Sequence, residues 1–582
     1  MPDDTRVVYR IPKSSQTSST ETLELARTWI QDCEMHHELC RHSGTVESWY
    51  PTRLLDLGQT IPGDETVACR IVVSGSVVLS GDYATVSHRW GTANFLKLTA
   101  ENMVSFKHGI PYSALPQTFI DCITVARQLK IRYLWIDSLC IIQSGDGGKD
   151  WQDEASTMHL VFGNAACNIV SNWQDASGGL FSQRDLRLFD QLQIDLNIFS
   201  KGTSHRANFV SVEDMLWKEE VSLSPINKRG WVLQERLLSR RNLHFCRREV
   251  FFECRHSACC ESVPNSKEFR EFFGVEDTFL KLALMQPEEA LKVIPEGFEP
   301  SDDWKLEWAY KAWTAIVNTY SQCQLTFDSD KLIALAGIAT HIKPIINDTY
   351  VAGLWLRDLP LQLLWNTATG TEQESPPKTV AAGYRAPSFS WASVDLPVEL
   401  AYRENKTIIV DASCVVFRHP EMVKESESED RQVTEDFFGP ISSSTVEVKV
   451  IGRIVPAKVV PSKFDPSWRK GFWICPLGYE GEEPSTLEDM IFPRLDTEPS
   501  KSQLENLNTR TIYYLPLIYE QSFKGLLLEG VDSKMGRFRR IGVLSGFSAM
   551  ARHIYMEDWG HEHEVESWRY NCETGFHTIY IV

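Results

Sequence analysis

The stretch YLWIDSLCIIQSGDGGKDWQDE, from Tyr133 to Glu154, joins a predicted buried strand to the start of a predicted helix. The apolar run at its beginning is typical of a strand covered on both faces, and Asp150 is the predicted N-cap of the helix. One stripe of that helix, at spacings of three and four, contains Trp151, Glu154, Ala155, Met158 and Phe162. A carboxylate in such a stripe is costly to bury unless it is paired or hydrogen-bonded. We therefore expect Glu154 either to have a hydrogen-bonding or ionic partner or to have a functional role.

Strands and helices alternate on both sides of this stretch. The predicted strands are Tyr83–Ser87, Arg132–Ile136 and Ala166–Val170. One predicted helix opens after Pro116, and its apolar stripe is Phe119, Cys122, Ile123, Ala126 and Leu129. The second runs from Asp150 to about Phe162. This order predicts an α/β core with a parallel sheet and helices on its faces.

The remainder of the chain divides by composition. We predict a disordered N-terminus over residues 1–20, a helical and strand lead-in over 21–82 and the α/β core over 83–235. A mainly helical region over 236–380 and a β-rich C-terminal region over 381–582 follow. The last region has short alternating strands separated by Gly, Pro and acidic loops.

Composition excludes some classes of function. The 582 residues include 59 basic and 78 acidic side chains, a net charge of −19, and nucleic-acid binding needs a basic face. No apolar run approaches the ~18 residues of a membrane span, and the beginning of the chain lacks the apolar segment of a signal peptide. The 14 cysteines form no CxxC pair, so we expect a reduced cytoplasmic protein. Together these features predict no nucleic-acid partner and no membrane span.

Two groups of cysteine and histidine could in principle hold zinc. They are Cys33, His37 and Cys40, and then Cys254, His256, Cys259 and Cys260. Their spacings match no familiar zinc finger. We therefore expect ordinary thiols and no metal site.

Ligands of a parallel α/β sheet bind outside the carboxyl ends of its strands. Residues of three segments are expected there: Ser87, Arg89, Trp90 and Gly91 after one strand, Asp137 after the next, and Trp151 with Glu154 on the following helix. We predict that Ser87, Arg89, Asp137 and Glu154 border one cleft. Asp137 could instead cap the turn that follows it. Glu154 could be a working carboxylate, or it could be half of an ion pair with an arginine such as Arg89 or Arg229.

A second helix, predicted from Ser224-Pro225 to about Leu238, shows the same irregularity. In RGWVLQERLLSRR, from Arg229 to Arg241, Trp231 and Glu235 share one face. Arg229 and Arg236 flank this face. The pattern favours a structural Glu–Arg network, with anion binding as the alternative.

Several motifs together resemble the HET domain of fungal heterokaryon-incompatibility proteins. The match covers about Tyr83 to Glu235, and its motifs are Y-x-x-x-S-x-x-W-G at Tyr83–Gly91, LPQTFIDCITVARQLKIRYLWIDSLCIIQ at Leu115–Gln143, W-x-x-E-x-x-x-M at Trp151–Met158 and RGWVLQERLLSRR at Arg229–Arg241. Flanking pieces similar to the surroundings of that domain are PTRLLDLG at Pro51–Gly58, AGLWLRDL at Ala352–Leu359 and YRAPSFSWAS at Tyr384–Ser393.

The resemblance implies a role in fungal non-self recognition (allorecognition) or defence that ends in programmed cell death. HET domains are in turn distantly similar to TIR domains, some of which cleave NAD. That similarity implies Ser87 and Trp151 with Glu154 as the matching site, with NAD as substrate and no cofactor. A carboxylate can stabilise the oxocarbenium-like sugar that forms when nicotinamide leaves.

Three functions remain open from the sequence. The first is an NAD glycohydrolase with Glu154 as catalytic carboxylate. The second is a non-catalytic module that forms homo-oligomers and recruits an unknown protein partner or incompatibility factor, and it is favoured if Glu154 is committed to an arginine. The third is a thiol hydrolase with Cys140 and either His159 or His88, although no neighbour in sequence activates that thiol.

Overall fold

A computed structural model of the chain describes most of it, and all structural statements below concern the described part. The described residues are 10–41, 49–58, 66–91, 95–172, 178–189, 193–200, 203–210, 216–265, 269, 280–281, 284, 304–367, 384–401, 407–408, 410–416, 431–432, 446–461, 472–476, 491–496, 510–519, 523–532, 536–546, 570–571 and 576–582. The chain divides into two compact units, Met1–Glu299 and Pro300–Val582. Within the described ranges, no helix has the length and apolar character needed to cross a membrane.

The first unit is built on a nine-stranded mixed sheet in the order β11-β10-β9-β6-β3-β5-β1-β2-β4, with β7 and β8 forming a separate hairpin. Its strands are β1 (Arg53–Asp56), β2 (Val67–Val73), β3 (Tyr83–Ser87), β4 (Ile110–Pro111), β5 (Tyr133–Trp135), β6 (Cys167–Ser171), β7 (Gln193–Ser200), β8 (Thr203–Val210), β9 (Arg241–Phe245), β10 (Val250–Cys254) and β11 (Ala258–Cys260). The four central strands β5, β3, β6 and β9 are parallel, and the outer pairs are antiparallel.

Helices connect and cover these strands. They are α1 (Thr20–His36), α2 (Met103–His108), α3 (Gln117–Gln128), α4 (Asp137–Cys140), α5 (Lys149–Asn164) and α6 (Gly230–Leu238). Every residue of β3, β5 and β6 is buried, as expected for parallel strands covered on both faces. The predicted apolar stripe of α3 is buried as a whole. The α/β core and the parallel pairing of β3 with β5 are confirmed.

Three features of this unit differ from the sequence-based expectation. The helix expected from Ser224 begins at Gly230, after a short 3₁₀ turn at Pro225–Lys228. Residues 236–380 were expected to be mainly helical, but their first part forms β9, β10 and β11, which extend the core sheet. Disorder was expected over residues 1–20. Residues 1–9 lie outside the described residues, whereas Arg10 N donates to Ser262 O at 2.7 Å and Ser19 caps α1.

The second unit contains helices followed by a β-rich region, which confirms the predicted order. Its helices are α7 (Trp304–Ser321), α8 (Ile333–Ile346) and α9 (Leu359–Gln362). The short strands β12 (Tyr350–Val351), β13 (Leu354–Trp355), β14 (Asn366–Thr367) and β15 (Val398–Glu399) form two small hairpin-like sheets. A twelve-stranded sheet comprises β16 (Thr407–Ile408), β17 (Asp411–Val416), β18 (Arg431–Gln432), β19 (Val446–Gly452), β20 (Val455–Pro461), β21 (Phe472–Pro476), β22 (Ile491–Leu495), β23 (Ile512–Tyr519), β24 (Phe523–Asp532), β25 (Arg537–Gly546), β26 (Tyr570–Asn571) and β27 (Phe576–Ile581).

Two sequence motifs of the second unit meet at one glycine. The carbonyl of Gly353, in AGLWLRDL, accepts hydrogen bonds from Trp313 Nε1 at 3.2 Å and from Trp391 Nε1 at 3.0 Å. Gly353 has a φ of 89°, and a Cβ there would lie 2.5 Å from Trp391 Nε1. Only glycine fits this contact, so these flanking motifs serve packing.

Candidate functional site

The carboxyl end of β3 carries a buried contact between a serine and a glutamate. Ser87 Oγ donates a hydrogen bond to Glu235 Oε2 of α6. Asn168, on β6, donates from Nδ2 to Ser87 Oγ at 3.0 Å. All three side chains are buried. We call Ser87 and Glu235 the Ser87–Glu235 pair.

The environment of Glu235 holds a proton on its carboxyl group at pH values where exposed glutamates are ionised. Burial raises the pKa of Glu235 from 4.5 to about 7, although the charge of Arg229 and the Ser87 hydroxyl oppose the shift. Asp137 adds to the rise. The guanidinium of Arg229 donates a hydrogen bond to the carbonyl of His88. A carboxyl group with such a pKa can take or give a proton near neutral pH.

Asp137 stabilises the turn after β5. Its Oδ1 accepts from the backbone N–H of Ser138 at 2.6 Å, and its Oδ2 accepts from Trp90 Nε1 at 2.9 Å. His88 Nδ1 lies 3.9 Å from Asp137 Oδ1. Burial lowers the pKa of His88 to about 4, so its ring is neutral. Asp137 therefore makes a capping contact, which is one of the two roles predicted for it from the sequence.

Arg89 and Gly91 lie on the same edge. Arg89 is half-buried, and among the described residues it has no hydrogen bond or ion pair. Gly91 has a φ of 64°, which favours glycine and turns the chain away after Trp90. The Nζ atom of Lys97 lies 4.6 Å from the centre of the Trp90 ring. Within the described part of the chain, Arg89 is thus an unpaired cation at this edge that can meet an anion.

Glu154 belongs to a different buried cluster, formed by Arg53, Asp150 and Glu154. Arg53 Nη2 donates to Asp150 Oδ2 at 2.5 Å and to Glu154 Oε1 at 3.2 Å, and its Nε donates to the carbonyl of Cys140 at 2.5 Å. The side chains of Arg53 and Glu154 are only 7% and 6% exposed. Burial still raises the pKa of Glu154, against Thr52 and Arg53. We call this set the Arg53 cluster.

Two expectations about α5 were wrong. The arginine partner of Glu154 is Arg53, and neither Arg89 nor Arg229 contacts it. Asp150 does not cap the helix: Gly148, with a φ of 81°, is the N-cap, and Asp150 Oδ2 accepts from the N–H of Ile142 at 2.8 Å. The sequence did not reveal that β1 runs antiparallel beside β5, which brings Arg53 to the carboxyl end of that strand.

Direct contacts connect some of the side chains expected at this edge and not others. Ser87, His88, Trp90 and Asp137 form one connected set with Arg229 and Glu235. Glu154 has no hydrogen bond or ion pair with Ser87 in the described part of the chain. Trp151 packs against Trp231 with 6.3 Å between ring centres, and this contact joins the starts of α5 and α6.

The Glu–Arg network expected on α6 has different members. Arg236 pairs with Glu253 of β10 through Nε at 3.0 Å and Nη2 at 2.9 Å. Asn242 Nδ2 also donates to Glu253, at 3.1 Å. Glu235 is not part of this buried network. Sequence reasoning missed Asn168 and Arg53, although Arg53 stands inside the quoted motif PTRLLDLG.

Cys140 is not an activated thiol. It is fully buried, and burial raises its pKa to about 12, so almost no thiolate is present at neutral pH. Burial also lowers the pKa of His159. The thiol hydrolase alternative therefore lacks its nucleophile.

A cavity of about 670 Å³ lies at the opposite edge of the sheet, where β5 begins. Its lining residues are Asp56, Leu57, Gly58, Val67, Ala68, Cys69, Arg70, His108, Arg127 and Arg132. None of the candidate site residues lines it, and the carboxyl edge remains the better supported position for a site.

Comparison with known proteins gives one finding. The family model described as heterokaryon incompatibility protein (HET) matches residues 83–235, which hold β3, β5, β6 and most of α6. No curated protein and no solved structure matches the chain. The match covers the elements that bring Ser87 to Glu235 and Trp151 to Trp231, and it shows that residues 83–235 of this chain are a heterokaryon-incompatibility (HET) domain.

Proposed function

We propose that this chain acts in fungal non-self recognition or defence and in regulated cell death, through a HET domain that works as a non-catalytic signalling module. The HET domain implies a function of the heterokaryon-incompatibility type. The module forms homo-oligomers and recruits a protein partner. The eleven cysteines whose side chains the structure describes carry free thiols, which supports a cytoplasmic location.

The observation that carries this proposal is the Arg53 cluster. A catalytic carboxylate for NAD cleavage must face the ribose of the substrate. Glu154 instead shares a buried guanidinium with Asp150, so its charge is already paired within the protein. Separating Glu154 from Arg53 would leave the buried Glu154 carboxylate without its cation. Its role is therefore to hold α5 against β1.

A second candidate function is NAD hydrolysis with Glu235 as the working carboxylate. The Ser87–Glu235 pair favours it, since this carboxyl group exchanges its proton near neutral pH, and Arg89, two residues after Ser87, can meet a phosphate. In that reaction the bond between nicotinamide and ribose breaks and water adds to the sugar. The water proton would go to Glu235, which must first be ionised and released from Ser87.

The test compares Glu154→Gln with Glu235→Gln in the full chain. NAD loss, melting temperature and cell death on overexpression are measured on the same set of proteins, at concentrations high enough to force association. The signalling proposal predicts that wild type kills cells without consuming NAD. Glu154→Gln should reduce killing only as far as it lowers stability, by about 1.5–3 kcal/mol for a lost charged hydrogen bond, because Asp150 still pairs with Arg53.

The enzyme alternative predicts another result. Wild type then consumes NAD, and Glu235→Gln, with melting little changed, loses on the order of 10²–10³ in rate. NAD turnover that is lost in Glu154→Gln while the protein stays folded would refute the structural role of Glu154. Turnover that survives in both variants would exclude both carboxylates as catalytic groups.

A further inference from the structure

The two cysteine and histidine groups, which are far apart in sequence, meet in the first unit. The side-chain ligand atoms of Cys33, His37, Cys40 and Cys254 all lie within 4.8 Å of one another. We propose that these four residues bind one structural Zn²⁺ ion. The sequence predicted no metal site because the fourth ligand comes from the other group.

The geometry fits a tetrahedral zinc site. Bonds of about 2.3 Å to sulfur and about 2.0–2.1 Å to nitrogen place neighbouring ligand atoms roughly 3.5–3.8 Å apart. Cys254 Sγ lies 3.4 Å from His37 Nδ1. Three thiolates and one imidazole fill all four positions, which is typical of a structural site rather than a catalytic one.

Local backbone structure presents the ligands to one point. Cys33 lies in the last turn of α1, His37 is the C-cap of that helix, and Cys40 ends the 3₁₀ turn Glu38–Cys40. Cys254 ends β10 at a tight turn, where its N–H donates to Ser257 O at 2.7 Å. The helix end and the hairpin end therefore face each other.

The sulfur atoms already accept hydrogen bonds of the kind that stabilise metal thiolates. The backbone N–H groups of His256 and Ser257 donate to Cys254 Sγ at 3.4 Å and 3.2 Å. Arg241 Nε donates to Cys33 Sγ at 3.1 Å. Such groups around a metal site fix the ligands and favour their charged form.

Charge balance supports the same conclusion. Zn²⁺ with three thiolates and a neutral imidazole carries one net negative charge. The side chain of Arg241 is only 3% exposed, and its carboxylate neighbour Glu34 is 47% exposed at 3.6 Å. A buried guanidinium is costly without a nearby anion, and the thiolates supply one.

The other members of the second group are excluded as ligands. The ring of His256 packs on that of His37, with 4.3 Å between centres and 33° between planes. Cys259 and Cys260 are on β11, and neither belongs to the group of ligand atoms that lie within 4.8 Å of one another. These two cysteines are buried core residues.

The zinc ion would fasten the two flanks of the HET domain to each other. None of the four ligands lies in residues 83–235. Along the same contact, Trp29 stacks on Phe252 with 6.0 Å between ring centres, and Thr22 Oγ1 donates to Glu261 Oε1 at 2.7 Å. Since β10 pairs with β9 of the core sheet, zinc would hold α1 on that sheet.

A disulfide is the competing use of these thiols. It would join two of the three cysteines and leave one thiol and the imidazole without a role. The histidine and the odd number of cysteines favour the metal.

The experiment is metal analysis of the full chain, purified in reducing buffer without added metal. Elemental analysis for zinc and iron should find about one zinc per chain and no iron. In Cys33→Ser, Cys40→Ser and Cys254→Ser the zinc ratio should fall to near zero. Cys259→Ala, on the next strand of the same hairpin, is the matched control and should keep its zinc.

Wild type alone supplies a second measurement if the variants fail to fold. Protein refolded with Co²⁺ should show the intense visible bands of tetrahedral cobalt with thiolate ligands, and Zn²⁺ should displace them. A strong chelator should lower the melting temperature of wild type. Wild type without zinc, with no cobalt bands and an unchanged melting temperature, overturns the proposal, as does iron in place of zinc or an intramolecular disulfide found by mass spectrometry.

Discussion

Glu154 and Glu235 occupy similar places in the HET domain and have different partners. Each follows a tryptophan on a helix whose start lies at the carboxyl edge of the sheet, and Trp151 touches Trp231. Glu154 is paired with Arg53, which it shares with Asp150. Glu235 accepts a hydrogen bond from the Ser87 hydroxyl, and burial raises the pKa of Glu235 to about 7.

The difference shows that burial alone does not make a carboxylate functional. Burial raises the pKa of both groups. Direct contact with the Arg53 guanidinium stabilises the ionised form of Glu154. The Ser87 hydroxyl stabilises the ionised form of Glu235 less, and Arg229 lowers the pKa of Glu235 only through its charge. The W-x-x-E pattern therefore selects the glutamate in the structural ion pair, and the carboxyl group that titrates near neutral pH is on the other helix.

The largest effect is expected for Arg53→Met. This change leaves Asp150 and Glu154 side by side without their cation, and removing one partner of a buried pair costs roughly 3–5 kcal/mol. The free energy of unfolding in urea at pH 7 measures it. Arg70→Met is the matched control, since the side chain of Arg70 is 56% exposed beside Asp56 and such pairs contribute at most about 1 kcal/mol. Equal losses in the two variants would show that the Arg53 cluster is not a buried pair.

The sequence predicted the elements of the fold better than their long-range pairing. Hydrophobic runs and helical stripes located β3, β5, α3 and α5, because burial imposes the period of each element. The strands β9, β10 and β11 were missed, since polar residues such as Arg241, Asn242, His244 and Glu253 interrupt them. Asn242, His244 and Glu253 are linked to one another and to Arg236 in a buried network, and Arg241 donates to Cys33 and to the carbonyls of Ala166 and Cys40. Spacing along the chain carries no sign of such contacts.

The candidate site shows the same limit. Position after a strand correctly placed Ser87, Arg89 and Asp137 at the carboxyl edge, because it follows from the parallel sheet. The partner of each charged group could not be predicted. Arg53 reaches Glu154 through an antiparallel strand, and Glu235 reaches Ser87 from a helix far along the chain.

The second effect is a difference in pH dependence between wild type and Glu235→Gln. The pKa of Glu235 rises from 4.5 to about 7 on folding, so the folded state binds more protons than the unfolded state between these values. Wild type therefore loses stability as pH rises from about 4.5 to 7, by roughly 3 kcal/mol from this group. The glutamine variant cannot titrate and should lack this part of the loss. Glu249, whose pKa burial also raises to about 7, is present in both proteins and cancels.

Urea unfolding at pH 5 and pH 8 measures this difference. The Lys149→Gln variant serves as control, because it removes an exposed cation, leaves Glu235 intact and should keep the full loss. Parallel stability curves for wild type and Glu235→Gln would mean that Glu235 is ionised in the folded protein. The contrast between the two glutamates would then disappear.

The smallest effect on stability is expected for Arg89→Gln. This variant is to be compared with Arg53→Met, because Arg89 is half-buried whereas Arg53 is buried in an ion pair. Because Arg89 has no hydrogen bond or ion pair among the described residues, its replacement should change the free energy of unfolding by less than about 0.5 kcal/mol. A loss of binding is the informative result. If the edge beside Glu235 receives a phosphate, Arg89→Gln should weaken binding of ADP-ribose about tenfold in calorimetric titration, the value of one charged hydrogen bond. Lys149→Gln is the control, since it removes an exposed cation at the start of α5. A stable Arg89→Gln protein with unchanged binding and unchanged killing would remove the ligand role from this edge and leave the signalling module as the function of the domain.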